Sequence, residues 1–324
     1  TLMETAFTRH AGIAVPLICG PMYPCSNPEL VAAVSDAGGL GVIQPISLTY
    51  VHGHEYRAGL RYIRSLTSKP IGFNALIEGS NKIYLDRMRL WIDVALEEGV
   101  RFVITSLGNP KWVCERVHAA GGVVYHDVTE KKWAQKGVDG GVDGLIAVNS
   151  RAGGHAGRLG PEALFDELAS FGLPVVSAGG VGTPEEFARH LSIGYAAVQL
   201  GTRFIATPEC KASDAYKQAI VDSEEDDIVL TERLTGVPVA VIRNAYIDRL
   251  GTSAGLFARW MLKGRKTKHW MRTWYAINSI RRLKKSLLKS DVGTDYWQAG
   301  KSVAGIHDVR PAAQIVREFA AALD

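Results

Sequence analysis

The sequence predicts an α/β protein built on a (β/α)8 barrel, and three observations support this fold class. The chain has 324 residues, of which 47% are hydrophobic and 22% charged, so it can bury a large core. Its first two hundred residues repeat one unit: an apolar strand, a loop with glycine or a polar residue, and an amphipathic helix. The strands are nearly continuous apolar runs, as in a parallel sheet buried on both faces. Eight units predict a closed barrel, and a doubly wound open sheet is the alternative.

The eight units follow one another in order along the chain. Strands are predicted at residues 16–20, 40–44, 71–76, 102–106, 123–126, 144–149, 174–178 and 196–200. Helices are predicted between them at residues 28–37, 56–66, 82–98, 110–119, 161–170 and 184–192. Several of these helices open with proline after a polar residue, as at Asn27-Pro28 and Thr183-Pro184, which is a typical helix start.

The repeating pattern ends after the eighth strand. Residues 210–223 indicate a closing helix, residues 228–244 a loop or strand excursion, and residues 311–323 a final amphipathic helix. Residues 252–289 read as helical, and the stretch from 243 to 289 carries 13 Lys and Arg against one acid, Asp248. We therefore predict a barrel over residues 1–225, a smaller basic helical cap over residues 226–290 on its C-terminal face, and a segment at 291–324 that packs back on the barrel.

Composition also narrows the class of protein. No apolar run approaches the roughly 18 residues of a membrane span, and the first ten residues show no signal pattern. The four cysteines are scattered without a CxxC pair, which argues against a metal site or a disulfide framework. We expect a cytoplasmic protein with no nucleic-acid partner. A non-catalytic protein whose basic helices bind an acidic partner or a membrane surface stays an alternative.

Two glycine turns predict a phosphate site. The first, Ala178-Gly179-Gly180, follows strand seven, and the second, Gly201-Thr202, follows strand eight. Glycine lets backbone N–H groups approach an anion, and the ends of strands seven and eight form the phosphate site of many barrels. Each turn alone could be a tight connection from strand to helix. Together, on adjacent late strands, they favour a phosphorylated cofactor or substrate.

The second feature is a histidine in a glycine-rich run after strand six, Ala152-Gly153-Gly154-His155-Ala156-Gly157. Such a histidine has few neighbouring side chains to bury it, and it can act as base, acid or anion-stabilising group. His126 at the end of strand five is a second candidate, and Asp127 and Asn149 could shape the polarity near His155. With a phosphate site and no Schiff-base lysine at a strand end, FMN is the economical cofactor.

The chain resembles the nitronate monooxygenase (2-nitropropane dioxygenase) family in several stretches that occur in the right order. These are Gly20-Pro21-Met22 and residues 36–41, 72–74, 152–157, 178–180, 199–204, 241–244 and 297–301. The resemblance implies FMN contacts from a set of residues and names His155 as the catalytic histidine. That set is Gly20, Pro21, Met22, Asn74, Asp127, Gly153, Gly154, Ala178, Gly179, Gly180, Gly201 and Thr202.

Two positions depart from the family pattern. Pro21 stands where many relatives have glycine, which removes one backbone donor near the flavin. Asp127 stands where some relatives have lysine, which reverses a charge near the isoalloxazine ring.

The resemblance implies the oxidation of alkyl nitronates or nitroalkanes by O2, giving carbonyl compounds and nitrite. The same scaffold also serves FMN-dependent reductases of enoyl thioesters or quinones that use NAD(P)H, and this stays the alternative reaction. The basic cap favours it mildly, because acyl carrier proteins and nicotinamide dinucleotide phosphates are acidic. The sequence leaves NAD(P)H and a homodimer open as further partners.

Overall fold

The computed structural model describes residues 3–234, 237–253 and 296–324, and within them it has the predicted closed barrel. Eight parallel strands pair in chain order, and β1 closes the barrel against β8. The strands are β1 Leu17–Cys19, β2 Leu40–Ile43, β3 Gly72–Leu76, β4 Phe102–Ser106, β5 Val123–Val128, β6 Gly144–Val148, β7 Val175–Ala178 and β8 Ala197–Leu200. All eight predicted strands are confirmed, and the open sheet is excluded. Strand β5 runs two residues further than predicted, so Asp127 lies within the strand.

Twelve α-helices are found in the described ranges. They are α1 Ala6–Ala11, α2 Pro28–Asp36, α3 Tyr56–Leu66, α4 Lys82–Glu97, α5 Lys111–Ala119, α6 Lys131–Asp139, α7 Pro161–Leu168, α8 Pro184–Ile193, α9 Thr202–Ile205, α10 Asp214–Asp222, α11 Ala245–Leu250 and α12 Ala312–Ala321. Helix α6 was not predicted, and it buries only two small residues, Ala134 and Gly137. None of the described helices is long and apolar enough to cross a membrane.

The barrel interior is filled by alternate residues of the strands, because successive side chains of a strand point to opposite faces. Its apolar layers include Ile18, Val42, Ile104, Tyr125 and Val176, among others, all of them buried. Helix α1 closes the N-terminal end, where the ring of Phe7 meets Phe102 and Tyr125 edge-on at centroid distances of 5.5 and 5.8 Å. With that end closed by aromatic rings, the open end of the barrel is the C-terminal one.

The excursion after the barrel is a strand hairpin laid over the C-terminal face. Strands β9 Ile228–Thr231 and β10 Val239–Ile242 pair antiparallel. Strand β10 bridges the loop after β6, where the Ala240 amide donates to the Gly154 carbonyl over 2.7 Å. On the same edge of β10 the Ile242 amide donates to the Trp297 carbonyl over 2.9 Å. The hairpin thus joins the β6 loop to the C-terminal segment.

The last described segment, residues 296–324, contacts the barrel. A short helix at Lys301–Gly305 lies beside the β7 and β8 ends, and α12 packs against α2 and α8, with Phe319 5.5 Å from Phe187. The domain boundaries stay a prediction. The basic, Trp- and Met-rich part of the predicted cap, from residue 254 to 290, lies outside the described residues.

Candidate active site at the barrel mouth

The mouth of the barrel is lined by the last inward-facing residue of each strand. In each strand, the residue two positions after the last interior residue also points inward. At the ends of β2 to β5 and of β8 this residue is polar: Gln44, Asn74, Ser106, Asp127 and Gln199. At the ends of β1, β6 and β7 it is small or apolar: Gly20, Val148 and Ala178. The mouth is therefore polar on one half and small or apolar on most of the other.

The polar half is connected by hydrogen bonds that all run in one direction. Ser47 Oγ donates to Gln44 Oε1 over 2.8 Å, and Gln44 Nε2 donates to Asn74 Oδ1 over 3.4 Å. Asn74 Nδ2 then donates to Ser106 Oγ over 3.3 Å, and Ser106 Oγ donates to Asp127 Oδ2 over 2.6 Å. Because each donor faces the next acceptor, the chain ends on the carboxylate, and aligned bonds of this kind polarise one another.

Asp127 is the charged end of this chain. Its Oδ2 takes the Ser106 bond, while its Oδ1 is shielded from solvent and accepts no hydrogen bond from the described residues. Burial raises the pKa of Asp127 from 3.8 to about 6, against the opposite influence of the Ser106 hydrogen bond. A buried carboxylate oxygen without a partner is costly in a folded protein and indicates a group that a ligand would satisfy.

Gln199 offers a second acceptor of the same kind. Its Oε1 is buried and has no partner within the described ranges. Its side chain lies across Gly20, where an added Cβ would stand only 2.9 Å from the Gln199 amide nitrogen. Gly20 is therefore required by the packing of Gln199. Sequence reasoning missed Gln199, although the stretch 199–204 belongs to the family resemblance.

The backbone of residues 20–22 offers fewer donors than expected. The Gly20 amide donates to the Leu200 carbonyl over 2.9 Å, and the Met22 amide donates to Ser26 Oγ over 2.7 Å. Pro21 has no amide hydrogen. The Met22 carbonyl also accepts from the Ser26 amide over 2.9 Å. This stretch can therefore offer a ligand the Met22 side chain, whose sulfur would stand 3.4 Å from a Cβ added at Gly201. Met22 and Gly201 thus bring the β1 and β8 ends together.

The loop that carries His155 is organised by Asn149, which is fully buried. Asn149 Nδ2 donates to the Gly179 carbonyl over 3.0 Å, and its Oδ1 accepts from the Arg151 amide over 2.9 Å. The Asn149 carbonyl accepts from the Gly157 amide over 3.1 Å, which folds the loop back on itself. Asn149 therefore fixes both ends of the glycine-rich run and ties it to β7.

The glycines of this run permit close backbone packing. A Cβ at Gly153 would stand 2.8 Å from the Gly300 amide nitrogen, and Gly154 has a φ of +66°. His155 itself is exposed at the tip of the run. Loss of hydration among the surrounding protein atoms nevertheless lowers the pKa of its imidazole below the ordinary 6.5. At neutral pH His155 is therefore uncharged and able to accept a proton.

His126 does not belong to the mouth. It lies on the outer face of β5, beneath Gly137 of α6, with its Nδ1 2.7 Å from Thr105 Oγ1. Burial lowers its pKa to about 4. The interpretation of His126 as a second functional histidine is therefore wrong, because strand alternation turns it away from Asp127 and into the layer between barrel and helices.

The glycine turn after β7 is shaped mainly by its own neighbours. Gly179 has a φ of +123°, and a Cβ there would stand 2.3 Å from Asn149 Oδ1. Gly180 has a φ of +81° and is covered by the Arg151 side chain, whose Nε would be 2.7 Å from such a Cβ. The start of α8 is already capped, since Glu186 accepts from the Gly182 amide over 2.7 Å. The turn is thus strained and closely packed, and the Gly182 amide at the start of α8 is already satisfied within the protein.

A cluster of charges beside this turn was missed by sequence reasoning. Arg151 binds Glu225 with two hydrogen bonds of 2.8 and 3.0 Å, and the Lys301 ammonium lies 3.7 Å from the same carboxylate. Arg151 therefore lies over Gly180, and Lys301 lies near it, next to the predicted phosphate site. Thr202 is buried there as well, and its hydroxyl accepts from the Gly300 amide over 3.0 Å.

Comparison with known proteins places the chain in a family. The family model described as nitronate monooxygenase matches residues 4–321. The chain belongs to the nitronate monooxygenase family. It is accordingly an enzyme, a flavin-dependent oxidoreductase on a (β/α)8 barrel, and the resemblance noted in the sequence is confirmed.

Individual relatives carry more than one activity. The chain is 32% identical over 277 residues to a nitronate monooxygenase of Pseudomonas aeruginosa, covering 72% of this chain and 78% of the relative. It is 31% identical over 262 residues to a Mycobacterium tuberculosis dehydrogenase of a hydroxy-methyl-oxo-octahydroindene-carboxyl-CoA, covering 79% and 71%. The crystal structure of a nitroalkane oxidase from Streptomyces ansochromogenes matches with a TM-score of 0.78 at 25% identity, over 98% of both chains.

The residues at the mouth fit the flavin that this family uses. An oxidised isoalloxazine ring carries one N–H, and either of two unpartnered buried oxygens at the mouth, Asp127 Oδ1 or Gln199 Oε1, could accept it. Arg151 and Lys301 share the single carboxylate of Glu225, which leaves a net positive charge next to Gly180, where a phosphate is predicted. No group of three or more metal-ligating side chains occurs in the part of the chain that the structure describes.

Proposed function

We propose that the chain binds FMN across the mouth of the barrel and oxidises nitroalkanes, through their nitronates, with O2 to carbonyl compounds and nitrite. The observation that carries the proposal is an exposed imidazole on the glycine-rich β6 loop, which Asn149 ties to β7 at the edge of a polar barrel mouth. The relatives named nitronate monooxygenase and nitroalkane oxidase support it.

Each part of the mouth has its own task in this proposal. Bound FMN would accept electrons from the substrate and pass them to O2. Asn74, Asp127 and Gln199 would bind the polar edge of the ring. Gly179 to Gly180 and Gly201 to Thr202, with Arg151 beside them, would hold the phosphate. Gly153 and Gly154 would bring the backbone of the β6 loop, and with it His155, close to the ring.

His155 would act as the base for a neutral nitroalkane. The α C–H bond breaks, the proton moves to the imidazole, and the electron pair of that bond spreads onto the nitro group to give the nitronate. The lowered pKa of His155 keeps the imidazole in its proton-accepting form at neutral pH. An uncharged imidazole is a poor holder of an anion, so we favour the base over the anion-holding role.

His155→Asn tests this role, because asparagine keeps a hydrogen-bonding side chain but cannot accept a proton at neutral pH. We expect turnover of a neutral nitroalkane to fall by about 10²–10⁴-fold and turnover of the preformed nitronate to fall far less. His118→Asn is the matched control, since His118 lies on α5 and is bound to Asp143. Equal losses on both substrates would instead assign an anion-holding role, and no loss with FMN still bound would make His155 structural.

The second candidate function is an NAD(P)H-dependent FMN reductase acting on a thioester or quinone. It is supported by the carboxyl-CoA dehydrogenase relative and by the 13 basic residues between positions 243 and 289, which suit a phosphate-bearing substrate. Anaerobic mixing with NADPH discriminates the two reactions. Rapid bleaching of the flavin absorbance would favour the reductase, and inertness would favour nitroalkane oxidation. A homodimer and a cytoplasmic location stay predictions.

A further inference from the structure

The hydrogen bonds around Asp127 favour a negative charge at the barrel mouth, which binding a flavin ring does not by itself require. The Asp127 carboxylate ends a directed chain of four hydrogen bonds that begins at Ser47. Every donor in that chain points toward Asp127. The chain therefore stabilises negative charge on Oδ2 and leaves Oδ1 as the free acceptor at the mouth.

We propose that Asp127 is a catalytic residue that contacts the flavin ring through Oδ1 and, by its negative charge, makes the bound flavin harder to reduce. The inference rests on the FMN site of the proposed function and adds to it the sign of the charge at the ring. Reduction adds electrons to the flavin, and a carboxylate a few Å away opposes this even when solvent screens part of the interaction. Lysine at the same position would act in the opposite direction.

The protonation of Asp127 makes this effect depend on pH. Because its pKa is raised to about 6, the carboxyl is largely charged at pH 8 and largely neutral at pH 5. Ser106 on β4 and Val148 on β6 flank it and do not titrate. His126 on β5 is turned to the other face, and the β6 loop bears His155 and Arg151, of which Arg151 is paired with Glu225. Among these described neighbours Ser106 is the one that moves the pKa of Asp127.

The test is the midpoint reduction potential of the flavin in the full-length, FMN-loaded protein, measured from pH 5 to pH 8. Asp127→Asn removes the charge and keeps the size of the side chain. At pH 8 we expect the variant to have the higher potential, with the equilibrium shifted toward reduced flavin by about tenfold or more. At pH 5 the two proteins should converge. Asp139→Asn on the exposed face of α6 is the control and should match the wild type at every pH.

Ser106→Ala gives a second and independent test. It leaves the carboxyl in place but removes the hydrogen bond that favours its charged form, so the pKa of Asp127 should rise. The pH below which the carboxyl no longer lowers the potential should therefore be higher in Ser106→Ala than in the wild type. This variant also decides the question if Asp127→Asn fails to fold.

The outcomes separate this inference from the proposed function. If the wild-type chain binds FMN and oxidises nitroalkanes, but neither variant changes the potential or its pH dependence, only the role of Asp127 is wrong. If the wild-type chain binds no FMN, the proposed function is wrong and the inference falls with it. A lower potential in Asp127→Asn at pH 8 would also overturn the inference.

Discussion

The two halves of the barrel mouth are built in different ways. On the β2–β5 half, the mouth is lined by side chains: Gln44, Asn74, Ser106 and Asp127 form one hydrogen-bonded chain. On the β6–β8 half, backbone contacts dominate, because glycines at the strand ends let neighbouring loops approach within van der Waals distance. The first half therefore sets the polarity of the site, and the second sets its shape.

This difference predicts different responses to substitution. A polar side chain can be replaced by one of similar size with little movement of the backbone, so changes on the first half should alter chemistry and pH dependence. A glycine with positive φ against a neighbouring chain cannot gain a side chain without moving that neighbour. Changes on the second half should therefore alter stability and cofactor retention together.

The largest effect should come from Gly179→Ala. The new Cβ would collide with Asn149 Oδ1 and with the Ala152 amide, at 2.3 and 2.6 Å, in a backbone with a φ of +123°. We expect a loss of about 2–4 kcal/mol in the free energy of unfolding, from strain and from the displaced Asn149. Because Asn149 also holds the loop of His155, bound flavin should be lost as well. Urea denaturation and the visible absorbance of the purified protein measure the two effects.

Gly172→Ala is the matched control for this prediction. Gly172 also has a positive φ, +69°, but a Cβ there would meet nothing within 4 Å. It should cost about 1 kcal/mol and leave flavin binding unchanged. If the two variants behave alike, the collision at Gly179 does not matter and the backbone half is less rigid than the comparison requires.

On the polar half, Asp127→Asn should raise the free energy of unfolding, whereas Gly179→Ala should lower it. The pKa of Asp127 is 3.8 in the unfolded chain and about 6 in the folded protein, so the folded protein disfavours the charged carboxylate. This destabilisation is absent below about pH 4 and complete above about pH 6. With flavin removed, the variant should therefore be more stable than the wild type by about 1–3 kcal/mol at pH 7.5.

The gain in stability of Asp127→Asn should shrink as the pH is lowered to 5, where the wild-type carboxyl is largely protonated. Thermal denaturation at the two pH values measures it, and Asp139→Asn, in an exposed position, should show no gain at either. A destabilised Asp127→Asn at pH 7.5 would mean that an unseen partner satisfies the carboxylate.

Much of the backbone half could be predicted from the sequence. The glycines at 153–154, 179–180 and 201 are local signals, and they stand at strand ends that the apolar runs already locate. What the sequence could not show is the reason for them. Gly179 and Gly153 are required by contacts with Asn149 and Gly300, which come from other parts of the chain.

The polar half was only partly predictable, because it depends on which face of each strand a residue occupies. The strand ends in the sequence locate Gln44, Asn74, Ser106 and Asp127 at the mouth, while Gln199 was missed. Counting in steps of two back from each strand end would have found Gln199, and would have placed His126 on the other face. Arg151 and Glu225 are 74 residues apart, and no local pattern connects them.

The smallest effect should come from Arg151→Met, which tests whether the backbone half also uses charge. Methionine keeps much of the side-chain length over Gly180 but removes the guanidinium that pairs with Glu225. The Arg151–Glu225 pair is partly exposed, so stability should change by less than about 1 kcal/mol. FMN should bind about tenfold more weakly, and the difference in affinity should narrow at high salt, because screening weakens the attraction between arginine and phosphate.

Arg189→Met, which breaks the exposed pair with Glu162, is the control and should leave FMN affinity unchanged. Titration of the flavin-free protein with FMN at two salt concentrations gives both affinities. Equal affinities for Arg151→Met and wild type would mean that backbone groups alone hold the phosphate, which would make the contrast between the two halves of the mouth complete.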